Sequence, residues 1–246
     1  MTDLAQTRSL PPEDITQQII YAISHDLQGP TRLITSFLQL LEADIGHNLN
    51  EQSRSYLDRV NTAADSLQER LGAITLFSRV TSSGQPMQPC SLGRALDAAL
   101  GLLGPAIAAT GSTVEIVGDT PTVLADHAQI EDVFIQVVGN SLKFCEQPAN
   151  VRIEIESLDQ QCSVTISDSG PGFRAKRCDD AFDLFRRFHK ATVPGTGTGL
   201  AIVRRILQRH GSDAQIDSSP HSNTIVTFAL PTAAVGNEAL TSEQVR

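Results

Sequence analysis

The chain has 246 residues, 40% of them hydrophobic and 19% charged, and a net charge of −9. That length and mix suit one large or two medium domains with an ordinary core. The acidic balance speaks against a nucleic-acid partner, which demands clustered Lys and Arg. The four cysteines, Cys90, Cys145, Cys162 and Cys178, show no C-x-x-C spacing, which speaks against zinc.

The opening MTDLAQTRSLPPED is polar and acidic, unlike a signal peptide, and residues 1–13 read as a disordered lead. No apolar run approaches the ~20 residues of a membrane span. The longest, ALGLLGPAIAA, is interrupted by Pro105. A reduced, cytoplasmic protein is expected.

From Asp14 the apolar residues Ile15, Ile19, Ile23, Leu27, Ile34, Leu38, Leu41 and Ile45 fall on one stripe of a helix. GHNLN (46–50) breaks it. A second helix runs to about Val80 with Leu57, Val60, Ala64, Leu67, Leu71 and Ile74 in alternating steps of three and four, a heptad seam spoiled only by Ser78. Residues 14–81 thus predict a helical hairpin. One hairpin covers its two stripes poorly, so two copies pairing into a four-helix bundle is the natural solution.

TSSGQPMQPC reads as a linker, assigned to 82–90. From 91 to 231 the pattern is mixed: a helix to about Thr110, strands STVEIVG and TVLAD, a helix containing IEDVFIQVVGNSLKF, and a VRIEIESL–DQQ–CSVTISD hairpin. A helix, GLAIVRRILQRHG, and a strand, NTIVTFAL, follow. This predicts an α+β sandwich with helices on one face of a sheet. Residues 232–246 read as a polar tail.

His25, in YAISHDLQGPTRLI, lies about 195° from the centre of the first helix's apolar stripe at 100° per residue. It shares the outer face with Gln18, Tyr21, Gln28, Arg32 and Gln39. A lone surface histidine is usually only solvated. Asp26, however, can accept its Nδ1 proton and leave Nε2 as a nucleophile. Pro30 lacks a backbone donor and should kink the helix just beyond.

Three later stretches carry the chemistry of a nucleotide. In QVVGNSLKF, Asn140 and Lys143 share a helix face, an amide able to ligate Mg²⁺ beside an ammonium able to meet phosphate. In SDSGPGF, Asp168 ends an apolar strand and can accept a hydrogen bond from an exocyclic amine, while Gly170 and Gly172 permit a tight turn. In PGTGTGLAIVRRI, Gly195, Gly197 and Gly199 lead into a helix whose N-terminus can cradle polyphosphate. The spacing matches neither a Walker A loop nor a dinucleotide fingerprint. Between them FDLFRRFHKATV, with Arg186, Arg187 and Lys190, supplies a basic lid.

Together these stretches resemble the catalytic core of sensor histidine kinases over residues 14–231. SHDLQGP is similar to the H box, QVVGNSLKF to the N box, SDSGPGF to the G1 box, FDLFRRF to the F box and PGTGTGL to the G2 box. The lid is similar to that of phytochrome-type kinases. The resemblance implies a HisKA-type dimeric four-helix phosphotransfer domain followed by an ATP-binding domain of the Bergerat, or GHKL, type. It implies an ATP-dependent protein-histidine kinase in two-component signalling, with ATP and Mg²⁺ as cofactors. His25 would be the phosphoacceptor and Asp26 its base. Asn140 would hold Mg²⁺, Lys143 would touch phosphate, and Phe144 would pack on adenine, with Asp168 reading its amino group. Gly170 and Gly172 would shape that pocket, Arg187 would reach the γ-phosphate, and Gly195, Thr196, Gly197, Gly199 and Leu200 would wrap the phosphates. The implied partners are a second copy, the receiver domain of a response regulator and a separate sensor protein.

The chain departs from the family pattern in three places. Gln136 stands where a first asparagine is usual, and Gln28 and Gly29 stand where a basic and a polar side chain follow the histidine. Gln136 keeps open the alternative of a phosphotransfer scaffold with a degenerate ATP domain.

Overall fold

The computed structural model describes residues 12–82, 84–145, 148–174, 178–188 and 195–233. Most of the expected lead, Lys190 and most of the expected tail therefore lie outside the described residues, and the first helix begins at Pro12, two residues inside the span read as lead. The chain divides into two compact units. One holds the chain up to Gly84 together with Arg174–Arg209, and the other holds Gln85–Phe173 and the chain from His210 on.

In the first unit, helices α1 (Pro12–Ile45) and α2 (Glu51–Ser82) are joined by a 3₁₀ turn, Gly46–Asn48, and lie against one another. Asn50 starts α2 by accepting the Ser53 amide at 2.8 Å. Pro30 sits within α1 without ending it. Its missing N–H leaves the helix ladder one bond short. Just beyond it, side chains reinforce the turn: Thr31 Oγ1 donates to the Leu27 carbonyl at 2.7 Å and Arg32 Nε to that of Gln28 at 3.3 Å.

The face of α1 turned to α2 is polar. Ser24 and Thr31 are buried there, Gln28 Nε2 donates to Thr75 Oγ1 at 3.0 Å, and Thr35 faces Gln68. From α2 come Leu57, Ala64, Leu71 and Ser78, every seventh residue and all buried. Ser78, read from sequence as a flaw in the seam, thus belongs to its buried register, and Val60 and Leu67 stay exposed. The apolar stripe of α1 stays largely exposed: Ile23, Ile34 and Leu41 are 54%, 51% and 44% exposed.

The first unit also contains a 3₁₀ turn, Cys178–Phe182, and helix α5 (Gly199–Arg209), which packs on α2. Ala201, Ile202, Val203, Ile206 and Leu207 form its buried face. Arg204 ties the helix to the turn, its guanidinium 4.9 Å from the Phe182 ring centre and 3.1 Å from Asp179.

The second unit is an α/β layer. Its strands are β1 (Gln88–Ser91), β2 (Thr113–Val117), β3 (Thr122–Ala125), β4 (Asn150–Leu158), β5 (Gln161–Asp168), β6 (Gln215–Ser218) and β7 (Thr224–Pro231), and its helices are α3 (Leu92–Thr110) and α4 (His127–Phe144). A mixed five-stranded sheet runs β2-β4-β5-β7-β6, with β2 parallel to β4 and the other pairs antiparallel. β1 and β3 form a separate antiparallel pair.

The alternation of β4 and β5 fixes their register. Val151, Ile153, Ile155, Cys162, Val164 and Ile166 are buried, while Arg152, Glu156 and Thr165 stand on the more open face. α4 covers the buried face, with the Phe134 and Phe228 rings 6.3 Å apart.

Four readings from sequence need correction. QPCS belongs to a strand, so the linker is shorter than 82–90, and its pairing with β3 could not be seen locally. Gln215–Ser218, too short to show alternation, is an edge strand. The β4–β5 turn is two residues rather than three, because Gln161 pairs with Leu158 and Asp159 takes a positive φ of 53°. The run around Pro105, expected within a helix to about Thr110 but read as too short for a membrane span, also needs correction. It lies in a continuous 19-residue helix, long and apolar enough by length and composition to cross a membrane. That helix packs on α4 and buries Leu92, Ala95, Leu96 and Ala99.

One buried carboxylate organises the start of α4. Asp126 accepts the Gln85 amide at 2.6 Å and the Gln129 amide at 3.4 Å, and its own N–H donates to His210 Nε2 at 3.0 Å. Losing a cap and a second buried bond together costs about 2 kcal/mol or more. Asp126→Ala should lower the thermal midpoint by several degrees, and Asp126→Asn, which keeps one acceptor oxygen, should lower it less. Calorimetric melts of the two variants check this.

Candidate nucleotide and phosphoacceptor site

His25 is exposed on α1, as its phase in the sequence predicts, whereas Gln28, read onto the same face, turns to α2 and donates to Thr75. The His25 side chain is 64% exposed and that of Asp26 is 82% exposed. Nδ1 faces Asp26 Oδ1 at 3.4 Å, a long contact in an open setting. The Tyr21 ring stacks on the imidazole, centroids 6.1 Å apart and planes at 26°. The spacing i, i+4 could have found this pair. Around Gly29 the space is open, so sterics alone do not require glycine there.

On α4 the residues separate by face. Val133, Phe134, Val137, Val138, Ser141 and Leu142 are buried. Gln136 and Asn140, one turn apart, are half-buried, and Lys143 is exposed with Nζ 5.8 Å from the Phe144 ring centre. α4 thus carries Gln136 and Asn140 as a pair of amides.

Asp168 ends β5. Its Oδ1 accepts the amides of Gly170 (2.9 Å) and Thr224 (3.3 Å), and its Oδ2 accepts the Ser141 hydroxyl at 2.9 Å. A Cβ on Gly170 would stand 2.8 Å from Asp168 Oδ1 and 3.3 Å from Cys145 Sγ. The Cys145 thiol is pushed up first by burial and then by the Asp168 charge, which keeps it protonated and unreactive. Gly172 has φ +58°, and any Cβ there would lie 2.0 Å from the Ser219 carbonyl oxygen. The turn after Asp168 is therefore closed to other residues. Asn140, Lys143, Phe144, Asp168, Gly170 and Gly172 all fall in the second unit.

His25, Asp26, Arg187 and Gly195–Leu200 fall in the first unit. Gly197 has φ +73°, and a Cβ there would lie 2.4 Å from the Arg186 carbonyl and 3.0 Å from Arg187 Cγ. The F-box and G2-box segments are thus packed backbone on backbone. Thr196 and Thr198 hydroxyls meet at 2.6 Å, and Gly199 and Leu200 open α5, where backbone N–H groups lack helical partners. Phe185 holds a positive φ of 64° with Arg70 of α2 5.9 Å from its ring centre, a contact no sequence spacing signals.

Sequence reasoning also missed Ser141 and the Thr224 amide, the partners of Asp168. Ser141 lies inside QVVGNSLKF, but nothing local marks it or Thr224 as a partner of Asp168, because they come from a different helix and strand. Among the described residues no cluster of three or more His, Cys, Asp or Glu could hold a metal by itself.

Residues 125–234 match the histidine kinase-, DNA gyrase B-, and HSP90-like ATPase family. The chain is 27% identical over 223 residues to the phytochrome-like protein Cph1 of Synechocystis, covering 90% of this chain and 29% of that protein. It is 26% identical over 218 residues to the methanogenesis regulatory histidine kinase FilI of Methanothrix harundinacea, covering 88% and 24%. The chain spans less than a third of the length of these relatives.

Two solved structures share the fold. Full-length ShkA in complex with AMPPNP has a TM-score of 0.65 at 23% identity, over 89% of this chain and 47% of that one. The Acinetobacter baumannii histidine kinase AdeS has a TM-score of 0.58 at 21% identity, over 85% and 98%. The resemblance read from the boxes is borne out. Residues 125–234 match this ATPase family, and the chain as a whole is similar to phytochrome-like proteins and sensor histidine kinases.

The exposure of His25 has a direct chemical consequence. Diethyl pyrocarbonate should acylate His25 rapidly and His210, only 7% exposed, far more slowly. Peptide mass spectrometry over a time course reads the two rates, and equal rates would contradict this geometry.

Proposed function

We propose that this chain is an ATP-dependent protein-histidine kinase that phosphorylates itself on His25 and passes the phosphoryl group to an aspartate of a response-regulator receiver domain. The observation that carries the reading is the exposed imidazole of His25, with Nδ1 facing Asp26, in a chain similar to sensor histidine kinases.

Neutral His25 keeps its proton on Nδ1, facing Asp26, so Nε2 is the nucleophile. The Nε2–P bond forms as the bond from the γ-phosphorus to the bridging oxygen breaks, and ADP leaves with that electron pair. Asp26 takes up the positive charge that develops on the ring by accepting the Nδ1 proton. Asp168 receives the exocyclic amine of adenine, and Phe144 packs on the base. Lys143 and Arg187 balance phosphate charge, and the backbone of Gly195, Thr196, Gly197, Gly199 and Leu200 surrounds the phosphates.

The residues suit the nucleotide. Gly172 and Gly197 keep the chain bare where a Cβ would collide with neighbouring backbone, and Asp168 presents a fixed acceptor. Asn140 offers a hard oxygen of the kind Mg²⁺ takes alongside phosphate oxygens, and the ion would supply charge neutralisation. Gln136 retains an amide, which favours a working ATP domain over the degenerate scaffold. The free thiols of Cys90, Cys145 and Cys162 support a reducing, cytoplasmic setting.

Incubation with γ-labelled ATP and Mg²⁺ tests the activity. Wild type should acquire an acid-labile label, His25→Gln none, and Asn140→Asp little. Nucleotide binding without any label on wild type would sink the kinase reading in favour of the scaffold.

We propose also that the chain acts as a homodimer through the bare stripe of α1. Each Ile or Leu side chain buried there contributes about 1.5–3 kcal/mol, and the polar seam with α2 leaves the stripe for a second copy. Light scattering should give a dimer for wild type and a monomer for the Ile34→Glu, Leu41→Glu double variant. A wild-type monomer at micromolar concentration would refute the bundle.

A further inference from the structure

The surroundings of Asp168 assign a role to Ser141, which lies within QVVGNSLKF but to which the resemblance gives no part. An ionised carboxylate has about four lone-pair directions. Gly170 and Thr224 amides occupy two on Oδ1, and the Ser141 hydroxyl occupies one on Oδ2. One direction on Oδ2 is left. The three donors come from the turn after β5, the start of β7 and the body of α4, so the plane of the carboxylate is held from three sides.

The Ser141 proton has two acceptors within reach: the Val137 carbonyl at 3.3 Å and Asp168 Oδ2 at 2.9 Å. A hydroxyl has a single proton. The charged, nearer acceptor takes it, because hydrogen bonds to ionised groups are shorter and roughly twice as strong. Ser141 is itself only 4% exposed, so bulk water does not compete for the bond.

We propose that Ser141 is a positioning residue for base recognition: it fixes Asp168 so that the one remaining Oδ2 lone pair points at an N–H donor of the ligand. The inference rests on the reading of Asp168 as the acceptor for the exocyclic amine of adenine. A carboxylate turned in plane by three donors rejects a base that presents an acceptor there, and gains nothing from a base that presents only C–H.

The test separates these layers by comparing ADP with purine riboside 5′-diphosphate, which lacks only the exocyclic amine. Calorimetric titration of the full chain gives both affinities. Wild type should prefer ADP. Ser141→Ala should weaken ADP about tenfold, the scale of one hydrogen bond to a charged group, and leave the analogue unchanged. Ser141→Cys, with similar volume and a weaker donor, should fall between and also guards against a folding defect in the alanine variant.

An equal loss for both nucleotides, or no loss for either, would overturn the role of Ser141. Wild type binding the two equally would instead overturn the reading of Asp168 itself. Failure of wild type to bind ADP at all would overturn the nucleotide site.

Discussion

The buried carboxylate of Asp126 is the constraint on which the α/β unit depends. It accepts the amide of Gln85, where the unit begins, and that of Gln129 in the first turn of α4, while its own N–H is held by His210. The apolar stripe sets the rotation of a helix, and a cap fixes where its first turn begins. With α4 locked in phase, Val133, Phe134 and Val137 go under the sheet, Gln136 and Asn140 turn outward, and Ser141 reaches Asp168. The recognition chemistry proposed for this chain is thus set by a residue that would touch no ligand.

The helical pair follows a different logic. A hairpin usually shares its apolar stripes between its own two helices. Here the shared seam is Ser24, Gln28, Thr31 and Thr35 against Leu57, Ala64, Leu71 and Ser78. Hydrogen bonds such as Gln28 to Thr75 favour one axial register of α1 and α2, since a one-residue slip would break them. The apolar stripe of α1 stays exposed in the single chain, so the face that sets the register of the helical pair is distinct from the apolar one.

Much of this could be read from residue order. The outward position of His25 followed from counting 100° per residue, because helical phase is a local property. The long helices, β4, β5, β7 and the glycine-rich entry to α5 were likewise visible as periodicity or as turn chemistry. What stayed hidden was whatever depends on a partner far along the chain. QPCS is a strand only because TVLA lies beside it, and QIDS only because β7 does. Asp168 was legible as an acceptor at a strand end, but its three donors arrive from positions 141, 170 and 224. Ser78 misled because a small polar residue in a heptad reads as a defect until its neighbours prove to be polar as well.

The stacking of Tyr21 on His25 has a consequence for spectroscopy. The chain has no tryptophan and two tyrosines, Tyr21 and Tyr56, both in the helical pair. Its ultraviolet emission therefore comes from those two phenols, and one of them lies a ring's breadth from the imidazole. Any charge placed on that imidazole alters the electric field at the fluorophore, which makes the protein its own optical probe of His25 without an attached dye.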